Sequence, residues 1–207
     1  MPIPTKDEAQ KILEPYHELI WRVVHEAWDE FMQVKAMRAE AGMAPLLYDR
    51  TAANEVFDAI ARRAIPLFRA EPRVSVRVEA QTFKLIFASR LAARFKKGGD
   101  DKLGRNIQTQ AALAFVEADG ELPGLPPETA KVEFIWLPND IWTKVAALLV
   151  IARDGDSLIW DYEIRKPGEA AEMIPFPTID GGPDEPPADG GDLIKPKARP
   201  GSKPVGQ

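Results

Sequence analysis

Between Arg90 and Gln110 the chain reads RLAARFKKGGDDKLGRNIQTQ, where Arg90, Arg94, Lys96, Lys97, Lys102 and Arg105 set six cations against Asp100 and Asp101, a local net of +4 in a chain of net −5. Guanidinium and ammonium groups hold phosphates, and the glycines of KGGDDKLG let backbone N–H groups approach an anion closely. Asn106, Gln108 and Gln110 add amides able to hydrogen-bond bases or a polar partner. These nine residues form the candidate binding surface: a strand end, a loop and an amide-rich helix start. The glycine order matches neither G-x-x-x-x-G-K-[ST] nor G-x-G-x-x-G, so the stretch is no nucleotide loop. Asp100 and Asp101 stand where phosphate would approach, and a plain flexible connection is the competing interpretation.

Catalytic chemistry has little to work with elsewhere. With no cysteine, disulfides, thiolate zinc sites and cysteine nucleophiles are excluded. The two histidines, His17 and His25, lie eight residues apart, about 12 Å along a helix, too far to share a metal. His25 with Asp29, and Glu26 with Glu30, have the i, i+4 spacing of ligand pairs but bring no further ligands in sequence. No serine occupies a G-x-S-x-G elbow. Asp58, Glu79 and Lys84 contain the residue types of some metal-dependent nucleases, at the wrong spacing. No catalytic residue, metal or cofactor is assigned.

The elements that carry these residues divide the chain in two. From about Thr5 to Ala41, Ile20, Val23, Val24, Ala27, Phe31 and Val34 recur at helical spacing, with Pro15 separating a lead-in and Gly42 ending the run. A second helix follows, capped by Asp49, with Val56, Ile60, Ala64 and Leu67 on its inner face and Pro66 in its last turn or just beyond it. Arg73–Ala80 then alternates as a strand, and Thr82–Phe87 with Leu91–Lys96 reads as a hairpin, a helix through Phe83–Phe95 being the alternative. Thr109 caps a short helix over Ala111–Glu117. Three strands end the domain: Lys131–Leu137, Trp142–Arg153 and Ser157–Ile164, the last two joined by Asp154, Gly155 and Asp156. The expected fold is α+β, an N-terminal helical hairpin packed on a mainly antiparallel sheet of about five or six strands, in one domain over residues 1–165. Trp136, Trp142, Trp160 and Tyr162 are read as cross-strand core packing, and Trp21 and Trp28 as one helical stripe, a partner face if it stays uncovered with Met32.

Charge is uneven along the chain: residues 1–70 carry −2, 71–110 carry +5, 111–165 carry −6 and 166–207 carry −2. Residues 166–207 hold nine prolines and seven glycines and few large apolar groups, so a disordered tail is expected, with Met173 to Phe176 as a short anchor. No apolar run approaches the roughly 20 residues that cross a bilayer, and the charged start MPIPTKDEAQK lacks a signal h-region. A cytoplasmic protein is expected.

The run RFKKGGDDKLGRNIQTQAALAF followed by LPGLPP resembles a pattern in uncharacterised bacterial proteins of prophages and plasmids, over about Phe83 to Ile164. Its most specific pieces are Arg94-Phe95-Lys96-Lys97, Asn106-Ile107-Gln108-Thr109-Gln110 and Leu122-Pro123-Gly124-Leu125-Pro126. The resemblance implies one half of a toxin–antitoxin or phage-defence pair whose partner is a helix-turn-helix regulator with a zinc-peptidase-like domain. The leading expectation is therefore a partner-binding protein that contacts a protein encoded nearby through residues 90–110. The alternatives are nucleic-acid binding through the same patch, and an RNA-directed toxin enzyme.

Overall fold

The structure is a computed structural model and describes residues 3–104, 110–117, 120, 122 and 124–168, the side chains of 110–112 excepted. Helix α1, Lys6–Leu13, starts from a capping box: the Thr5 hydroxyl accepts the Glu8 backbone N–H while the Glu8 carboxylate accepts the Thr5 N–H. A single 3₁₀ turn at Glu14–Tyr16, with Pro15 inside it, separates α1 from α2, His17–Glu40, the division expected of that proline. Gly42, at φ +68°, ends α2 in a conformation that costs glycine nothing. Helix α3, Asp49–Arg69, begins one residue earlier than a cap at Asp49 would place it. Tyr48 holds the N-cap position without a side-chain bond, and Asp49 is the first helical residue, where its charge still meets the positive end of the helix dipole.

Six strands follow in a single sheet whose spatial order equals their chain order: β1 Val74–Glu79, β2 Thr82–Phe87, β3 Leu91–Lys97, β4 Ala130–Pro138, β5 Val145–Asp154 and β6 Ser157–Glu163. Every pairing is antiparallel except β3 with β4, which run parallel. A parallel pair needs a crossover rather than a hairpin, and the chain between them carries the short helix α4, Gln110–Val116. The fold is the expected α+β arrangement. The Phe83–Phe95 segment is a hairpin and not a helix: its turn places Ala88 and Ser89 at φ +50° and +56°, with the Arg90 N–H donating to the Phe87 carbonyl. Asn and Gly are the usual occupants of such a turn, so its sequence hides it.

Alternation along each strand sorts the side chains onto two faces. Phe83, Leu85 and Phe87 of β2, Leu91, Ala93 and Phe95 of β3, Val132, Phe134 and Trp136 of β4, and Leu148 and Val150 of β5 meet α1, α2 and α3 in the main core. The opposite face carries two smaller apolar clusters. Ile86 and Ala92 pack under Phe115 and Leu122, and Ile135, Leu149 and Ile151 pack under Leu103. Between them lies a layer of charge, because Lys84, Arg94 and Glu133 fall on the same face as Ile86, Ala92 and Ile135. The compact unit that contains all of this spans Met1–Glu169; the tail expected over 166–207 lies outside the described residues beyond Gly168.

Both histidines sit half-buried on α2. His17 Nε2 is 3.1 Å from the Tyr162 hydroxyl, and burial also pushes the Tyr162 phenol upward. His25 donates from Nδ1 to the Trp21 carbonyl at 2.9 Å and stacks on the Trp21 ring with centroids 3.8 Å apart. Burial holds both imidazoles below the usual histidine range, against the opposing pull of Glu14 on His17, and of the Trp21 carbonyl and Asp29 on His25, where Lys166 adds to the lowering. The unfolded chain, with histidines near 6.5, therefore binds more protons than the folded one just below that pH. Their contribution to stability is complete above about pH 6.5 and is lost as the pH falls through the lower folded-state values. We expect the denaturation midpoint to drop between pH 7.5 and 5.5, and His17→Gln with His25→Gln to flatten that dependence; an unchanged slope in the double variant would assign the drop to carboxylates.

Candidate functional site

The basic stretch does not gather into one surface. Arg90 sits exposed at the β2–β3 turn, at the far end of β3 from Lys97. Glu8 is near it: its carboxyl is held below the usual range first by the Thr5 hydrogen bonds, with Arg90 adding attraction. Arg94 is buried, with Nε donating to Glu133 Oε1 at 2.8 Å. Its Nη2 lies 2.7 Å from the same oxygen at an angle that makes an ion-pair contact and no hydrogen bond. The Phe115 ring roofs the guanidinium, 4.1 Å from its centre. Lys96 is half-buried beside Arg94 and Gly104, and burial first, then repulsion from Arg94, lowers its amine below the usual lysine range. Lys97 points to the other face of the sheet, over the Trp142 ring at 5.3 Å. Lys102 reaches Asp161 of β6 at 2.8 Å. Arg105, Asn106 and Gln108 lie outside the described residues, as does the side chain of Gln110.

The physical reason is the period-two alternation of β3. Arg94 and Lys96 face the charged layer while Lys97 faces the helices, so neighbours in sequence part company in space. In the charged layer Glu133 accepts Arg94 on one oxygen, and on the other meets Arg153 Nη1 at 3.5 Å. Arg153 also donates to the Gly104 carbonyl at 3.2 Å and the Gly155 carbonyl at 2.6 Å. This buried triad ties β3, β4 and β5 to the Gly98–Gly104 loop, which closes on itself through a bridge between those two glycines. Of the other groups weighed for catalysis or metal binding, Lys84 pairs with Glu79 at 2.5 Å, Glu30 with Arg62 and Arg63, and Glu26 with Arg63. Among the described residues no three His, Asp or Glu side chains gather as metal ligands.

A different site emerges at the corner where α2 turns into α3. Phe31, Lys35, Arg38 and Ala39 of α2, Met43, Pro45 and Leu46 of the connecting loop, Tyr48, Asp49 and Ala52 at the start of α3, and Trp142 line a cleft of about 470 Å³. Next to lining residues in the chain, Leu47 and Ile141 also stand exposed, at 85% and 72%. These residues come from the facing ends of α2 and α3, the loop between them, and a β4–β5 loop some hundred residues further along the chain.

Trp142 was expected to open a strand. It lies instead on the β4–β5 loop, because β5 begins only at Val145, and it adopts φ +51°, a left-handed conformation unfavourable for a bulky residue. Asn139 enforces it. Its Oδ1 accepts the N–H groups of Thr143 and Lys144, its Nδ2 donates to the Thr143 hydroxyl, and its carbonyl accepts the Trp142 N–H at 2.9 Å. Lys35 Nζ donates to the Trp142 carbonyl at 3.3 Å. The indole then lies against Trp28 at 5.9 Å, Phe31 at 6.1 Å and Trp136 at 6.2 Å, so the core fixes one side of the ring while the other side walls the cleft. Sequence reasoning missed this site, although GMAPLLYD, an apolar loop between two helices, carried the signal that it would be hard to bury.

Together these features define an α+β domain with a mixed six-stranded sheet, a buried ionic layer on one face and an apolar cleft at the helical corner. No family model, no curated protein and no solved structure matches the chain. No helix among the described residues is long and apolar enough to cross a membrane.

Proposed function

We propose that this chain is a partner-binding protein that docks another protein on the apolar corner around Trp142. The observation that supports this is the set of exposed Met43, Leu46, Leu47, Tyr48 and Ile141 at a preformed cleft, more than scattered surface apolars explain. A single small ligand in the cleft would leave Leu47 and Ile141 in water, whereas a protein covers both cleft and surround. This moves the contact from the basic 90–110 segment, whose Arg94 and Lys102 already hold carboxylates within the chain. The setting we propose, on the resemblance to prophage and plasmid proteins, is a regulatory or defence pair in which the partner is encoded nearby.

Co-expression of the full chain with the products of its adjacent genes tests the docking surface. Leu47→Glu with Met43→Glu places two carboxylates on an exposed apolar loop, where substitutions cost the fold little, roughly within 0.5 kcal/mol each. The double variant is expected to melt like the parent and lose the co-purifying partner, a loss of at least about 30-fold in affinity if one side chain acts as a hot spot. A partner held equally by both proteins would place the interface elsewhere. A complex lost only when Lys96, Lys102 and Arg105 are all alanine, with Lys97 kept, would return it to the basic segment.

A further inference from the structure

The charge around the cleft selects among partners, and on the docking reading above we infer that the partner segment is an acidic amphipathic helix. Two ammonium groups meet Trp142: Lys35, on its backbone carbonyl, and Lys97, seated over the indole. Neither has a carboxylate within ion-pair distance among the described residues. The other cation in the wall, Arg38, is neutralised in a two-pronged pair with Glu55, at 2.9 and 2.6 Å. Of the acids, Asp49 lines the cleft in the first turn of α3, where the helix dipole takes up its charge. Asp140 and Glu40 stand exposed nearby. The charges in contact with Trp142 itself are the two ammonium groups, and a partner placing Glu or Asp beside its apolar anchors meets them while its anchors fill the cleft.

The shape argues for a helix. The cleft walls are α2, the start of α3 and two loops, and its only sheet-derived wall is the loop joining the interior strands β4 and β5, so no strand edge is open there for an added strand. Recognition must come from side chains, as in helix-in-groove binding with anchors at i, i+3, i+4 and i+7. Met43 supplies unbranched, adaptable surface of the kind that accommodates such anchors.

The test uses the full chain labelled with ¹⁵N and two synthetic 18-residue helical peptides that share one leucine stripe at i, i+3, i+4 and i+7. One carries glutamates on its polar face and the other lysines. The glutamate peptide is expected to shift amides within 35–48 and 139–144 and to bind about tenfold or more tightly than the lysine peptide at low salt, the difference shrinking as salt rises. Lys35→Glu with Lys97→Glu should reverse the preference, and Lys35→Gln with Lys97→Gln should abolish it, with the spectrum otherwise that of the folded parent. Equal binding of both peptides at these amides overturns the acidic class and leaves the docking reading standing. Preference for lysine, shifts confined to other surfaces, or no binding by either peptide overturns the inference too, whereas the docking reading falls only by retention of the partner in the Leu47 and Met43 variant.

Discussion

Glu133→Gln is expected to destabilise the fold by roughly 3–5 kcal/mol, because it leaves the buried guanidinium of Arg94, and much of that of Arg153, without the charge that compensates them. The substitution keeps the shape of the side chain and removes only its charge, so lost packing contributes little. For a domain of this size the loss corresponds to a fall in Tm of roughly 6–20 °C. Thermal melts and denaturant titrations of the single variant measure it. Arg153 holds the Gly104 and Gly155 carbonyls, so the Gly98–Gly104 loop should also lose protection in hydrogen exchange before the helical core does. A cost below about 1 kcal/mol would mean that water reaches the layer and that Glu133 is not its keystone. Replacing Arg94 and Glu133 together by Met and Leu should cost less than Glu133→Gln alone, since an apolar pair of similar size leaves only Arg153 to be satisfied.

Trp136→Ala is expected to cost about as much, roughly 3–5 kcal/mol, for a different reason. Trp136 is among the largest fully buried side chains, and it stands between Trp28, at 6.2 Å, and Trp142, at 6.2 Å. Its removal leaves a cavity beneath the Trp142 ring, and a ring already held at positive φ has little freedom to collapse into it. Near-UV circular dichroism should lose intensity along with stability, and partner affinity should fall although Trp136 touches no solvent. Trp136→Phe separates the two effects. The indole Nε1 of Trp136 finds no hydrogen-bond acceptor among the described residues, so the phenyl ring removes an unsatisfied donor while keeping much of the volume. It should cost well under half of the alanine change. An equal cost for both would point to a polar role for that nitrogen.

The elements were legible where a single period ran uninterrupted. Ile20, Val23, Val24, Ala27 and Phe31 announce α2 at spacings of three and four, and Phe134 to Leu137 announce β4 with their apolar run. The hairpin at Gly155 was legible because glycine at positive φ names its own turn. The turn at Ala88 and Ser89 and the loop at Trp142 were harder, since those residues take left-handed conformations that their types do not favour, and tertiary contacts hold them there. The parallel pairing of β3 and β4 was likewise invisible, because pairing partners across a crossover leave no local mark.

The candidate site divides in the same way. Sequence by itself determined that this chain has no cysteine chemistry, no nucleotide loop and histidines too far apart to share a metal, since those conclusions depend on residue type and spacing alone. It also concentrated the positive charge in residues 90–110. Only the tertiary structure decided what that charge does, because alternation along β3 sends Arg94 into a buried pair with Glu133 and Lys97 to the opposite face over Trp142, while Lys102 turns outward to Asp161. Only it brought Phe31, Leu46, Tyr48 and Trp142, some hundred residues apart at the extremes, to one cleft. A surface is made by packing, and packing joins residues by distance in space, which a linear spacing rule does not measure.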